Sequence, residues 1–112
     1  MYIFKEPSEN SFEKVGITGK VFPLESLTSK TEVVFIETEV GHETVVRQKE
    51  SDFLYYILEG NGIFTIDDKN YFCEKGNLVV VPAGKKFTYK GKLKMLLCIT
   101  PPWKEDQEEI LS

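Results

Sequence analysis

The sequence predicts an all-β sandwich or barrel. Short apolar runs follow one another along the chain, several with the two-residue alternation of a half-buried strand. Gly, Pro, Asn and Asp punctuate them every few residues, and no stretch carries an apolar period of 3.6. Residues 1–20 are polar and broken by Pro7, Gly16 and Gly19, with Tyr2, Ile3 and Phe4 as an apolar start, and read as a loosely structured N-terminal arm, either frayed or docked on something. Residues 32–40 (EVVFIETEV) read as a strand with Val33 and Phe35 on one face and Val34, Ile36 and Thr38 on the other. Residues 43–49 form a short strand and 53–58 (FLYYIL) a strongly aromatic one. Glu59-Gly60-Asn61-Gly62 then reads as a tight turn, because glycine supplies the positive φ a hairpin needs. Strands follow at 63–66, 71–73, 78–81 (buried-looking), 86–90 and 93–100, separated by turns at 67–70, 75–77 and 82–84. Pro101-Pro102 closes the series, and the tail 103–112 has room for one helical turn.

Composition bounds the function. The 112 residues make one domain, divided as arm 1–20, barrel 30–102 and tail 103–112. A net charge of −4 argues against nucleic acid as a partner. No apolar run approaches the roughly 20 residues of a membrane span. The opening MYIFKEPSEN lacks the apolar core of a secretory leader. Two scattered cysteines, Cys73 and Cys98, make neither a disulfide framework nor a metal motif. A cytoplasmic protein with reduced thiols is expected. Cys98 is placed on an inward face by its alternation with Leu96 and Thr100. Lysines at 85, 86, 90, 92 and 94 read as a solvated strand face and its turn.

The spacing over 41–91 resembles the two motifs of the cupin superfamily. Gly41 is followed after five residues by Arg47-Gln48-Lys49, after three more by Phe53, and after six more by Gly60. Gly76 is followed after five residues by Pro82-Ala83-Gly84, after two more by Phe87, and after three more by Gly91. The phrases YYILEGNG and KGNLVVVPAG are similar to cupin sequence as well. The resemblance covers roughly residues 30–112 and implies a cupin double-stranded β-helix, or jelly-roll barrel, with little or no helix.

It also implies where a metal would lie, and the residues there refuse one. The four ligand positions hold Arg47, Lys49, Phe53 and Phe87 in place of three His and a Glu. Cations and phenyl rings offer no lone pair to a divalent ion. No metal and no cofactor are expected. His42, the single histidine, follows Gly41 in what reads as a surface loop.

The candidate pocket is Arg47, Lys49, Phe53, Tyr55 and Phe87. Arg47 and Lys49 share one strand face, which the family register turns inward. Three arrangements suit them: pairing with Glu37 or Glu39, reaching water at the barrel mouth, or holding an anionic ligand, with the first two ranked ahead of the third. Either Tyr55 or Tyr56 must point in. The leading expectation is a metal-free module that binds or senses a small anionic or polar molecule. Two alternatives stand beside it: a metal-independent enzyme of the sugar-nucleotide isomerase or epimerase kind, and a barrel filled by its own side chains. A homodimer is expected, through the apolar arm or an open sheet face.

Overall fold

The computed structural model describes residues 2–112. Its nine strands are β1 (Phe12–Lys14), β2 (Ile17–Val21), β3 (Glu32–Thr38), β4 (Val46–Gln48), β5 (Asp52–Ile66), β6 (Lys69–Glu74), β7 (Leu78–Val81), β8 (Lys86–Thr100) and β9 (Glu108–Ile110). All pairings are antiparallel, and one sheet curls into a barrel. The path runs β1-β2-β3-β8-β4-β9, while β5 pairs β6, β7 and β8.

The axis of the molecule is the β5–β8 ladder, which runs from Asp52↔Thr100 to Ile66↔Phe87. The turn expected at 59–62 does not form: β5 passes straight through it, with a bulge between Ile57 and Glu59. The glycines there serve a bend with close backbone approach instead. A Cβ on Gly60 would lie 2.0 Å from the Lys92 carbonyl oxygen, and one on Gly62 would lie 2.2 Å from that of Lys90. Gly62 pairs with Gly91, so both long strands turn the barrel corner at the same level.

Of the two readings of the arm the structure has the docked one over residues 12–21, where β1 and β2 extend the sheet beyond β3 and pack Ile17 into the core. The tail holds its one helical turn, a 3₁₀ turn at Glu105–Gln107, and beyond it an unexpected strand, β9, that pairs β4. One further expectation is corrected. Strand β7 is an edge, not a buried strand: Leu78 and Val80 are exposed, and only Val81 is buried.

Alternation on the inner face gives the core. Ile57, Phe64, Met95, Ile36, Leu93 and Tyr89 are fully buried. Leu96, Cys98 and Thr100 take the opposite parity, so Cys98 faces outward, half-buried. Four of the five clustered lysines have carboxylate partners: Lys85–Asp67 at 3.2 Å, Lys86–Asp68 at 3.0 Å, Lys92–Glu39 at 3.5 Å and Lys94–Glu59 at 3.4 Å. These are solvated surface pairs of small energetic weight. No helix among the described residues is long and apolar enough to cross a membrane.

Candidate active site

The barrel encloses a cavity of about 380 Å³. That falls within the roughly 300–1,000 Å³ of small-molecule sites. Its walls are apolar side chains of β3, β5 and β8, including Val34, Ile36, Phe53, Leu97 and Ile99. Tyr55 and Tyr89 put phenols into this wall. Lys14, Glu32, Trp103 and Glu108 bring polarity and an indole, from β1, β3, the segment after Pro102, and β9.

The polar wall is built on an aromatic cluster. Tyr55 meets Tyr89 at 5.5 Å between ring centroids, and Phe64 stacks on Tyr89 at 4.8 Å. Edge-to-face and offset contacts of this kind hold ring orientation as well as area. His42 closes the row, edge-on to Tyr89 at 5.5 Å and 63°. It is half-buried, not the surface residue the sequence suggested. The cause is Gly41, whose φ of +111° lets the chain bridge to Lys90. A Cβ there would lie 2.2 Å from the Tyr89 carbonyl oxygen, so only glycine permits this approach. The His42 amide then donates to that same oxygen at 2.9 Å, and Thr88 Oγ1 donates to the His42 carbonyl at 2.7 Å.

The histidine ring is fixed in one tautomer. Its Nδ1 lies 2.8 Å from the Thr44 carbonyl oxygen, which can only accept. Nδ1 therefore carries the proton and Nε2 is left as the basic nitrogen. Burial lowers the His42 pKa below its ordinary 6.5, against the opposing pull of the Thr44 carbonyl and of Glu108. The imidazole is neutral at pH 7. Burial raises both phenols above their ordinary value, Tyr55 further through its neighbour Tyr89 and the Glu108 carboxylate. Both are protonated donors at neutral pH. The Tyr89 hydroxyl is buried beside the Tyr55 phenol and makes no well-formed hydrogen bond. A buried donor left unpaired costs stability unless a ligand takes it up.

At the mouth, the Trp103 indole N–H donates to Glu108 Oε1 at 3.2 Å, and the Trp103 amide donates to Glu32 Oε1 at 3.0 Å. The Lys14 ammonium lies 4.9 Å from the centre of the Trp103 ring.

The five sequence-predicted residues part company. Phe53 and Tyr55 line the cavity, and Tyr56 faces out. Phe87 is buried behind them, 5.6 Å from the Phe53 ring. Arg47 and Lys49 face outward: the buried residues of β4 are Val46 and Gln48. Strand β4 is offset by one residue from the motif register, and a shift of one exchanges the two faces. Arg47 approaches Glu109 at 3.9 Å, not Glu37 or Glu39. Neither cation reaches the cavity, so the arrangement ranked behind pairing and water, an anion held by Arg47 and Lys49, is not the one they adopt. The inward set of Val46, Gln48, Phe53 and Phe87 offers a metal only one amide. No group of three or more His, Cys, Asp or Glu side chains that could hold a metal occurs among the described residues. His42, Tyr89, Lys14, Trp103 and Glu108 were missed. Tyr89 was within reach, because it shares parity with inward Phe87.

An orphaned hydroxyl makes a testable signature. Tyr89→Phe is expected to leave the thermal midpoint unchanged or slightly higher, because it removes an unsatisfied group and little volume. A fall of several degrees in calorimetry would show that the hydroxyl is paired after all.

No protein-family model matches the chain. It is 32% identical over 77 residues to an uncharacterised protein of Methanocaldococcus jannaschii, a match covering 64% of this chain and 62% of that one. The chain thus spans less than two thirds of that relative. Among solved structures it is similar to Streptomyces Pac13, described as a nucleoside dehydratase. The H42Q form of Pac13 with uridine superposes with a TM-score of 0.90 and 25% identity, covering 100% of this chain and 92% of that one. Pac13 has also been solved with uridine as Y55F and Y89F forms. Those substituted positions carry the residue types and numbers of His42, Tyr55 and Tyr89 in this chain. KdgF from Halomonas superposes with a TM-score of 0.70 at 16% identity, covering 88% of this chain and 89% of that one, and shares the fold.

Proposed function

Taking the chain as a small single-domain barrel of the cupin fold, we propose that it binds a nucleoside in its cavity and removes water from the sugar without a metal. The observation that carries this reading is the row His42–Tyr89–Tyr55. It sets a neutral imidazole edge-on to Tyr89, whose phenol lines an apolar cavity together with that of Tyr55. Removing water needs one group to take a proton from carbon and another to give a proton to the departing hydroxyl. His42 Nε2 is the base, and a phenol is the acid. The C–H electron pair becomes the new double bond, and the hydroxyl leaves as water. The two protein groups end one proton richer and one proton poorer, and exchange through the cavity restores them. Imidazole is strong enough only for a C–H beside an electron-withdrawing group, so the reacting sugar carries one, such as a carbonyl.

Binding follows from the mouth. Trp103 presents an indole face for a base. Glu108, held by the indole N–H, has a second oxygen for sugar hydroxyls. The likeness to Pac13 supports the nucleoside as substrate class, because it spans the whole chain and the positions substituted in the uridine-bound Pac13 forms share type and number with His42, Tyr55 and Tyr89.

Calorimetric titration with uridine tests the binding half. One uridine per chain is expected, with the affinity reduced at least tenfold in Trp103→Ala. Absence of heat and of any thermal shift at millimolar uridine would remove the nucleoside from the reading. The metal-free half has its own check: dialysis against EDTA is expected to change neither the melting temperature nor turnover. Loss of turnover restored by a divalent ion would contradict it.

A further inference from the structure

A proton taken from carbon leaves its electron pair behind. Beside a carbonyl that pair moves onto the carbonyl oxygen, and the negative charge there needs a partner in an apolar cavity. The phenols of Tyr55 and Tyr89 are neutral donors, and one of them serves the departing hydroxyl. Among the described residues that line the cavity, Lys14 is the one cation. Its ammonium lies 4.9 Å from the centre of the Trp103 ring and 5.6 Å from that of Phe12, and both rings line the cavity. Aromatic faces steady a cation but occupy none of its N–H donors as a carboxylate would. Among the described residues no carboxylate forms an ion pair with it. Burial lowers the His42 pKa and the Lys14 charge lowers it further, so the field of the ammonium reaches the base.

The backbone is strained to put Lys14 there. Val15 and Gly16 are the turn that joins β1 to β2, with φ of +47° and +86°. Positive φ at both central positions belongs to the type I′ hairpin turn, which favours Asn, Asp and Gly. A β-branched side chain there is an outlier. Such strain persists where the surroundings enforce it, and it gathers at functional sites. The loop that carries His42 enforces it here. The Glu43 amide donates to the Val15 carbonyl at 2.7 Å, and Thr38 Oγ1 donates to the Gly16 carbonyl at 2.8 Å. A Cβ on Gly16 would lie 2.5 Å from the Gly41 carbonyl oxygen. The turn beside Lys14 and the loop of His42 are thus docked on each other, and Ile17, opposite Lys14 in the register, lines the cavity.

We infer that Lys14 is a second catalytic residue of this site, whose ammonium holds the carbonyl oxygen of the sugar and the negative charge it gains as His42 takes the proton. The role rests on the dehydration proposed for this cavity. The C–H bond breaks, its proton passes to His42 Nε2, and the pair flows onto the carbonyl oxygen. The pair then returns to re-form the carbonyl, and the double bond shifts to the next carbon. The hydroxyl there leaves with its C–O pair and takes a proton from a phenol. Lys14 keeps its own protons throughout.

Two probes separate the charge of Lys14 from the pocket as a whole. One is uridine, and the other is uridine with its CH₂OH replaced by a carboxylate, a stable oxyanion on the sugar. In calorimetric titrations Lys14→Ala is expected to bind uridine within about threefold of the parent, and the carboxylate roughly tenfold or more weakly than the parent does. With uridine bearing a carbonyl on its sugar, Lys14→Ala is expected to lower kcat about 10²- to 10³-fold, the usual loss of one donor to developing negative charge. Lys14→Arg, which keeps the charge, is expected to recover roughly tenfold or more of that loss. Parental affinity for the carboxylate in Lys14→Ala, or Lys14→Arg as slow as Lys14→Ala, would overturn the role of the ammonium and leave the nucleoside in place. A parent that binds neither probe would overturn both. Should Lys14→Ala fail to fold, Lys14→Gln gives the same comparison with most of the stem retained.

Discussion

His42→Gln is expected to lower turnover by about 10²- to 10⁴-fold, the usual contribution of a positioned base, while uridine still binds. Glutamine keeps a polar side chain of similar reach but cannot take a proton. The side chains that line the cavity are unchanged in this variant, so uridine binding is expected to survive. A pH signature accompanies the loss. Burial holds the His42 pKa below 6.5 in the folded chain. Because the unfolded chain binds the proton first, His42 lowers stability as pH falls below about 6.5, and this effect is complete once pH passes the folded value. His42→Gln removes that part of the acid slope in denaturant titrations. In the parent, the acid limb of kcat/KM is expected below pH 6.5. A variant with parental turnover would assign the base to another residue.

Gly60→Ala is expected to cost about 3–5 kcal/mol, as backbone strain and overpacking act together. The φ of +88° disfavours any side chain, and the new Cβ would lie 2.0 Å from the Lys92 carbonyl oxygen. Relief requires β5 and β8 to separate at the barrel corner, where their ladder is continuous. Gly76→Ala is the control: its φ of +91° is equally strained, but nothing lies within 4 Å of its Cβ. A loss near 1 kcal/mol is expected there, within the usual range for backbone strain. Equal losses at the two positions in urea unfolding would mean that close approach contributes nothing.

The glycines illustrate what the sequence discloses and what it withholds. Alternation and punctuation identify the β class, and the parity of Phe53, Tyr55 and Phe87 places those three side chains inside. A glycine pair such as Gly60 and Gly62 marks a special backbone. Whether it turns the chain or lets a neighbouring strand approach depends on Lys90 and Lys92, distant in sequence. The same limit explains Arg47 and Lys49. Motif spacing aligns them with inward ligands, but face is decided by pairing, and Val46 pairs both Phe87 and Ile110. A three-residue strand between two partners carries too little pattern of its own to fix parity.

The site residues missed from the sequence share a cause. His42 enters the site through a bridge to Lys90, and Lys14, Trp103 and Glu108 come from the two ends of the chain. Strands β1 and β9 are three residues each, below the length at which alternation is legible. The ends fold onto the barrel because β3 and β4 leave unpaired edges, and β2 and β9 cover them. A sequence reading that treats both ends as arm and tail therefore finds the aromatic wall but not its base or its mouth.

Removal of water from a nucleoside by His42, Tyr55 and Tyr89 is read out by mass spectrometry of uridine, and of uridine bearing a carbonyl on its sugar, after incubation with the metal-stripped protein. A product lighter by one water is expected from the carbonyl-bearing substrate, and none with His42→Gln. An unchanged substrate mass with the parent, or the same product with His42→Gln, would contradict it.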